Sequence, residues 1–200
     1  MRAPTVNRTN LPRTQKGMTL VELMVTIGVL SIVLVALTTI LFSSTHQSGH
    51  TAKRADAQGA ARQAMSLLTT EIRQAGADPS IPPVGVLAIV SGDSVSVRVR
   101  SDLSGDGVIQ TTEPSEDVTY AYNPGTHVLS RNPGSGASAL LSDVTNLRFT
   151  YFASDGTALT TFPLSATDAA LVTSVGISMT VTEDGTQPLT LSTRVDLRNR

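Results

Sequence analysis

The 200-residue chain contains no cysteine. A disulfide framework, a thiolate metal site and a thiol nucleophile are thereby excluded. Tryptophan is also absent and aromatics make up 4% of the residues, so no aromatic cage or base-stacking platform is expected. No proline occurs between Pro12 and Pro79, which leaves that whole interval free to be helical. Charge is missing from Leu23 to Phe42. Elsewhere it is unevenly spread: Arg2, Arg8, Arg13 and Lys16 precede the uncharged run with no acid among them, and the remainder is mildly acidic, for a net charge of −1. A body without clustered Lys and Arg is poorly suited to phosphate backbones, and no nucleic-acid partner is expected. Enzyme signatures are missing too. There is no G-x-S-x-G, Walker loop or HExxH, and His127 has no evident triad partners. No catalytic residue is assigned, and Asp155 and Asp184 read as turn residues.

What is present begins with a span. Residues 19–42 are nearly all apolar or small. The uncharged part from Leu23 to Phe42 makes about 30 Å of helix, enough to cross a bilayer. The positive charges before it outnumber Lys53 and Arg54 after it, which places the N-terminus in the cytoplasm. Two features are odd. Glu22 lies inside the apolar run, where an unneutralised carboxylate costs several kcal/mol. Gly17, the small residue at a plausible cut, precedes the apolar core, whereas a secretory signal is cut after it. On charge and periodicity alone an uncleaved signal anchor fits as well, with Glu22 snorkelling to the interface.

The stretch Lys16-Gly17-Met18-Thr19-Leu20-Val21-Glu22-Leu23 resembles the leader junction of type IV prepilins and type II secretion pseudopilins. The resemblance implies that prepilin peptidase cuts between Gly17 and Met18 and that Met18, where Phe is commoner, is N-methylated. It implies that Glu22, fifth from the new terminus, faces the Met18 ammonium of a neighbouring subunit during assembly. It also implies a single-pass inner-membrane protein with a periplasmic C-terminal domain that later enters a filament. Many major pilins have proline where Thr39 stands, so loosening of the helix there is not expected; Gly28 and Ser48-Gly49 are the softer points.

Beyond the span, Ala61, Met65, Leu68, Ile72 and Ala75 recur every three or four residues and form one apolar stripe. Gly76 and Asp78-Pro79 are stop signals. His46 and His50 share a helix face, but no third ligand lies nearby in sequence, so they read as surface histidines. From Val84 the period changes to two. Val95, Val97 and Val99 alternate with polar residues, and so do Val118 to Tyr122, Leu147 to Tyr151, Val175 to Val181 and Leu189 to Leu197. Turn signals at 123–125, 132–136, 154–156 and 183–185 separate these segments. The expected fold is α+β and pilin-like, a long N-terminal helix packed on an antiparallel sheet. The expected organisation is a leader at 1–17, an apolar helix at 18–42, an amphipathic helix at 43–78 and a β-rich domain at 79–200. The helix ending LTTEIRQAG, the late paired strands and the Arg-Asn-Arg terminus resemble PilW-type minor pilins, with J-type minor pseudopilins next. That likeness implies a subunit that joins, or primes, a type IV pilus alongside other minor and major pilins. The alternatives are a pseudopilin of a type II secretion system and a calcium-dependent tip or adhesion subunit.

One stretch has ligand chemistry. Residues 102–113 fit the twelve-residue calcium-loop pattern, in which a hard cation takes six or seven oxygens on a curled backbone. Asp102, Ser104 and Asp106 hold positions 1, 3 and 5, Gly107 the turn, Val108 the carbonyl position, Gln110 position 9 and Glu113 position 12. Pro114 disfavours an exiting helix, so Glu116 or Asp117 is an alternative to Glu113. An acidic, Gly-rich turn between two strands is the plain alternative. Ca²⁺ is the only cofactor expected.

Overall fold

A computed structural model describes residues 17–111, 116–183 and 187–199, with the side chains of 45–51 outside the described part. Helix α1 spans Leu20–Gln74. It starts two residues after Met18 because Thr19 caps it. The Thr19 hydroxyl accepts from the Glu22 N–H at 3.2 Å, and the Thr19 carbonyl accepts from the Leu23 N–H at 3.1 Å. A threonine followed three residues later by glutamate is the sequence pattern of a capping box, and an acid in the first turn suits the positive end of the helix.

The chain divides into two compact units, 1–48 and 49–200. In the first, Leu20–Ser44 is a 25-residue apolar helix with none of it buried. It is long enough to cross a membrane. Its hydroxyls turn inward on the helix: Thr26 donates to Glu22 and Leu23 carbonyls, Ser31 to Ile27, and Thr38 and Thr39 to Val35.

The second unit carries two antiparallel sheets. The first has five strands in sequential order, β1 (Ile89–Gly92), β2 (Ser96–Arg100), β3 (Asp117–Asn123), β4 (Val128–Asn132) and β5 (Ser138–Leu141). The second has the order β7 (Ala158–Leu159), β6 (Val144–Phe152), β8 (Ser174–Val181) and β9 (Leu189–Asp196). A short helix, α2 (Ala166–Leu171), is capped by Ser165. The alternation seen in sequence is realised as burial. Val97 and Val99, Val118, Tyr120 and Tyr122, Leu147, Phe149 and Tyr151, and Val175, Ile177, Met179 and Val181 all point into one core. The stripe Ala61, Ala64, Met65, Leu68, Ile72 and Ala75 joins that same core from α1.

Two polar features fasten the helix end to the first sheet. Glu71 receives the Tyr120 hydroxyl at 2.5 Å and the Arg131 guanidinium at 2.5–3.2 Å. Burial, with Glu71 next, pushes the Tyr120 phenol well above its ordinary range, so it stays a donor. Gly76 has a φ of 80° and donates to the Arg100 carbonyl at 2.7 Å. A Cβ there would sit 1.7 Å from the Asn199 carbonyl oxygen, so only glycine fits.

Candidate functional site

The N-terminal junction is built by the cap. Gly17, Met18 and Thr19 are non-helical and exposed, and a side chain at Gly17 would meet nothing within 4 Å. An accessible, non-helical peptide directly before a capped helix is what a processing enzyme needs at its scissile bond. Residues 1–16, including Arg2, Arg8, Arg13 and Lys16, lie outside the described residues. Glu22 is exposed on the first turn, and its N–H is taken by Thr19. No side chain in this segment offers it a counter-charge: between Gly17 and Ser44 the sequence holds no Lys, Arg or His. The cation nearest in the sequence would be the α-ammonium created at Met18 by cleavage after Gly17.

The second candidate is the loop between β2 and β3. Asp102 is fully buried. Its Oδ1 accepts from the Ser104 hydroxyl at 3.2 Å and the Gly105 N–H at 2.6 Å, and its Oδ2 accepts from the Gly107 N–H at 2.8 Å. Gly105 and Gly107 take positive φ values of 75° and 78°, which gives the curl the pattern anticipates. Asp106 accepts from the Val108 N–H and the Gln110 side-chain amide, both at 2.8 Å. Those two bonds hold its carboxyl below the usual range. Val108 is exposed, and its N–H is the group engaged here.

Glu113 lies outside the described residues. Glu116, three positions on, is buried and turns back onto the loop, accepting from Ser104 N–H through Oε1 and from Gln110 N–H through Oε2, both at 3.0 Å. Asp117 points elsewhere. It binds Arg98 at 2.6–2.7 Å and Arg100 at 2.8 Å. Burial raises its carboxyl, but the two guanidinium groups outweigh burial and hold it below the usual range. The loop is therefore organised around its own amides, and among the described residues no group of three acidic or histidine side chains is placed to hold a metal ion. The side chains of His46 and His50 lie outside the described part.

The sequence reading missed the Thr19 cap, although the T-x-x-E spacing carried it. It named Glu116 only as an alternative, and nothing in the local pattern announces which acid folds back.

Comparison with known proteins bears on the first site. No curated protein matches the chain. Residues 12–38 match the family described as the prokaryotic N-terminal methylation motif, so the junction at Gly17, the cap at Thr19 and the acid at Glu22 all fall inside a segment similar to that of type IV prepilin-like proteins.

Proposed function

We propose that the chain is a filament subunit of the type IV pilin and pseudopilin class, cut by prepilin peptidase after Gly17 and N-methylated on Met18. The observation that carries this reading is the match of residues 12–38 to the methylation motif, together with an apolar helix, Leu20–Ser44, that is long enough to cross a membrane. The helix is a membrane anchor first and a packing element later, and the sheet domain is the part displayed outside. Within the class, the proposal is a minor pilin of the PilW type, working with other minor and major pilins in an inner-membrane assembly that becomes a surface filament. Glu22 is then the assembly residue, paired with the Met18 ammonium of a neighbour, since a carboxylate in a low-dielectric bundle requires a cation.

Mass analysis of the mature N-terminus tests the processing step. The expected terminus is N-methyl-Met18, and an intact Met1 on membrane-resident protein overturns the reading. In the same cells Glu22→Ala is expected to remain processed and membrane-bound but to be lost from filaments.

For the 102–116 loop, calcium is proposed as a second reading. It is favoured by buried Asp102 on a two-glycine curl, with Glu116 folded over it in the role first given to Glu113. A carboxylate oxygen that accepts an N–H keeps lone-pair capacity for a cation. Calorimetric titration of the purified chain with CaCl₂ is expected to give a heat that Asp106→Ala abolishes. No heat from the parent chain removes calcium and leaves a self-closed turn.

A further inference from the structure

We propose that Thr19 is a positioning residue for cleavage after Gly17: its cap fixes where helix α1 starts and so keeps the Gly17–Met18 peptide outside the helix, in the extended form a peptidase engages. The proposal rests on the processing step of the filament-subunit reading and adds to it the residue that presents the scissile bond.

Two threonines mark the boundary. Thr19 accepts: its Oγ1 takes the Glu22 N–H at 3.2 Å, and its carbonyl takes the Leu23 N–H at 3.1 Å. Thr26, further along, donates instead, to the Glu22 and Leu23 carbonyls. A hydroxyl that accepts from an N–H three residues ahead stands at the end of a helix, and one that donates back to a carbonyl stands inside it. Between Lys16 and Thr26 the sequence holds no other Ser, Thr, Asn or Asp, so no neighbour can take over the cap.

A helix that loses this cap can restart later or earlier. The nearest cap-type residues in the sequence are Thr26 on one side and Thr14 on the other. A later start unwinds Leu20 to Val25 and bares their N–H and C=O groups in an apolar run, which lipid penalises at every residue. An earlier start costs only the poor helix propensity of Gly17, since Met18 is a good helix former. Gly17 and Met18 are exposed, and a side chain at Gly17 would meet nothing within 4 Å, so packing does not oppose that growth. Without the cap the helix therefore grows backward and draws the scissile peptide into its first turns. A peptide held in a helix must unwind before a peptidase can take it as an extended strand.

The cap and the acid serve different steps. The group that Thr19 holds is the Glu22 N–H, which any residue but proline at that position retains. Glu22→Ala therefore keeps the cut, whereas a change at Thr19 acts on the cut itself.

The test follows cleavage of the purified full-length chain by prepilin peptidase in detergent, with initial rates measured across substrate concentration by mass analysis of the new terminus. Thr19→Val keeps the side-chain shape and loses the acceptor. Thr19→Asn changes the shape and keeps an acceptor. Thr19→Val is expected to lower kcat/KM about fivefold, the population change that a lost cap brings. The loss is expected in KM with kcat unchanged, because only the competent fraction of the substrate falls. Thr19→Asn is expected to be cut at the parent rate. Exchange of the Leu20 amide, which heads the helix, is expected to slow in Thr19→Val as it becomes interior, and to stay fast in Thr19→Asn. Any of four results overturns the proposal: Thr19→Val cut as fast as the parent, a loss in Thr19→Val that falls on kcat, an unchanged Leu20 exchange, or Thr19→Asn slowed as much as Thr19→Val, which makes the peptidase a reader of the side chain itself. Any of them beside a parent chain cut after Gly17 leaves the filament-subunit reading in place. A parent chain not cut there overturns that reading and this inference with it.

Discussion

The two halves of helix α1 have the same backbone and opposite relations to the rest of the chain. Leu20–Ser44 is apolar around its circumference beyond Glu22, and none of it is buried among the described residues. The stretch from Ala61 to Ala75 is apolar on one side only, and that side is fully covered by the core of the sheet domain. Helical hydrogen bonding satisfies both backbones equally, so the difference lies in where the side chains find apolar surroundings. The second half finds them within the protein. The first is long and apolar enough to find them in a membrane.

The three tyrosines, Tyr120, Tyr122 and Tyr151, all lie in the sheets, so tyrosine emission during denaturation follows the C-terminal unit alone. Arg131→Ala is expected to have the largest effect, about 3–5 kcal/mol, because it takes the cation from a Glu71 carboxylate whose side chain is only 9% exposed. A loss below about 1 kcal/mol, the scale of an exposed ion pair, places the Glu71 carboxylate in water rather than in the core. Leu68→Ala is next, at about 2–5 kcal/mol for a fully buried leucine. Leu34→Ala, a chemically identical change in the other half, is expected to leave the same transition unmoved. Equal shifts for Leu68 and Leu34 would erase the distinction between the halves.

The smallest effect is a pH dependence. Arg98 and Arg100 depress the Asp117 carboxyl below its unfolded value of about 3.9. Its contribution is therefore present above that unfolded value and is lost as pH falls through the folded one. Domain stability is expected to decline below about pH 4, and Asp117→Asn to flatten that decline. An unchanged slope assigns the acid sensitivity to other carboxylates.

Much of this arrangement is legible in the sequence because it depends on periodicity. The stripe from Ala61 to Ala75 and the alternation in β2, β3, β6, β8 and β9 each report a face, and burial follows the face. Ile89–Gly92 and Ser138–Leu141 are four residues each, Val128–Asn132 is five, Ala158–Leu159 is two, and α2 is a single capped turn and a half, so β1, β4, β5, β7 and α2 escaped notice. The division into two sheets is invisible for a different reason: strand pattern says which side is buried but not which strand is neighbour. Glu71 and Arg131 lie 60 positions apart, and nothing near either residue names the other. At the candidate sites, Gly17, Met18 and Glu22 stand out in the sequence because their spacing is local, and all three fall within the matched segment 12–38. The folding back of Glu116 stands out less, since it depends on how β3 enters its sheet.

The inward-turned hydroxyls of Thr26, Ser31, Thr38 and Thr39 have a bearing on transport. Each donor is already spent on a carbonyl of the same helix, so the segment takes its own solvation with it. Moving such a helix from lipid tails to protein neighbours breaks no polar bond and forms none along its length. From Leu23 to Phe42 no hydroxyl is left without a helix carbonyl, and Glu22 is the one charged side chain between Gly17 and Ser44.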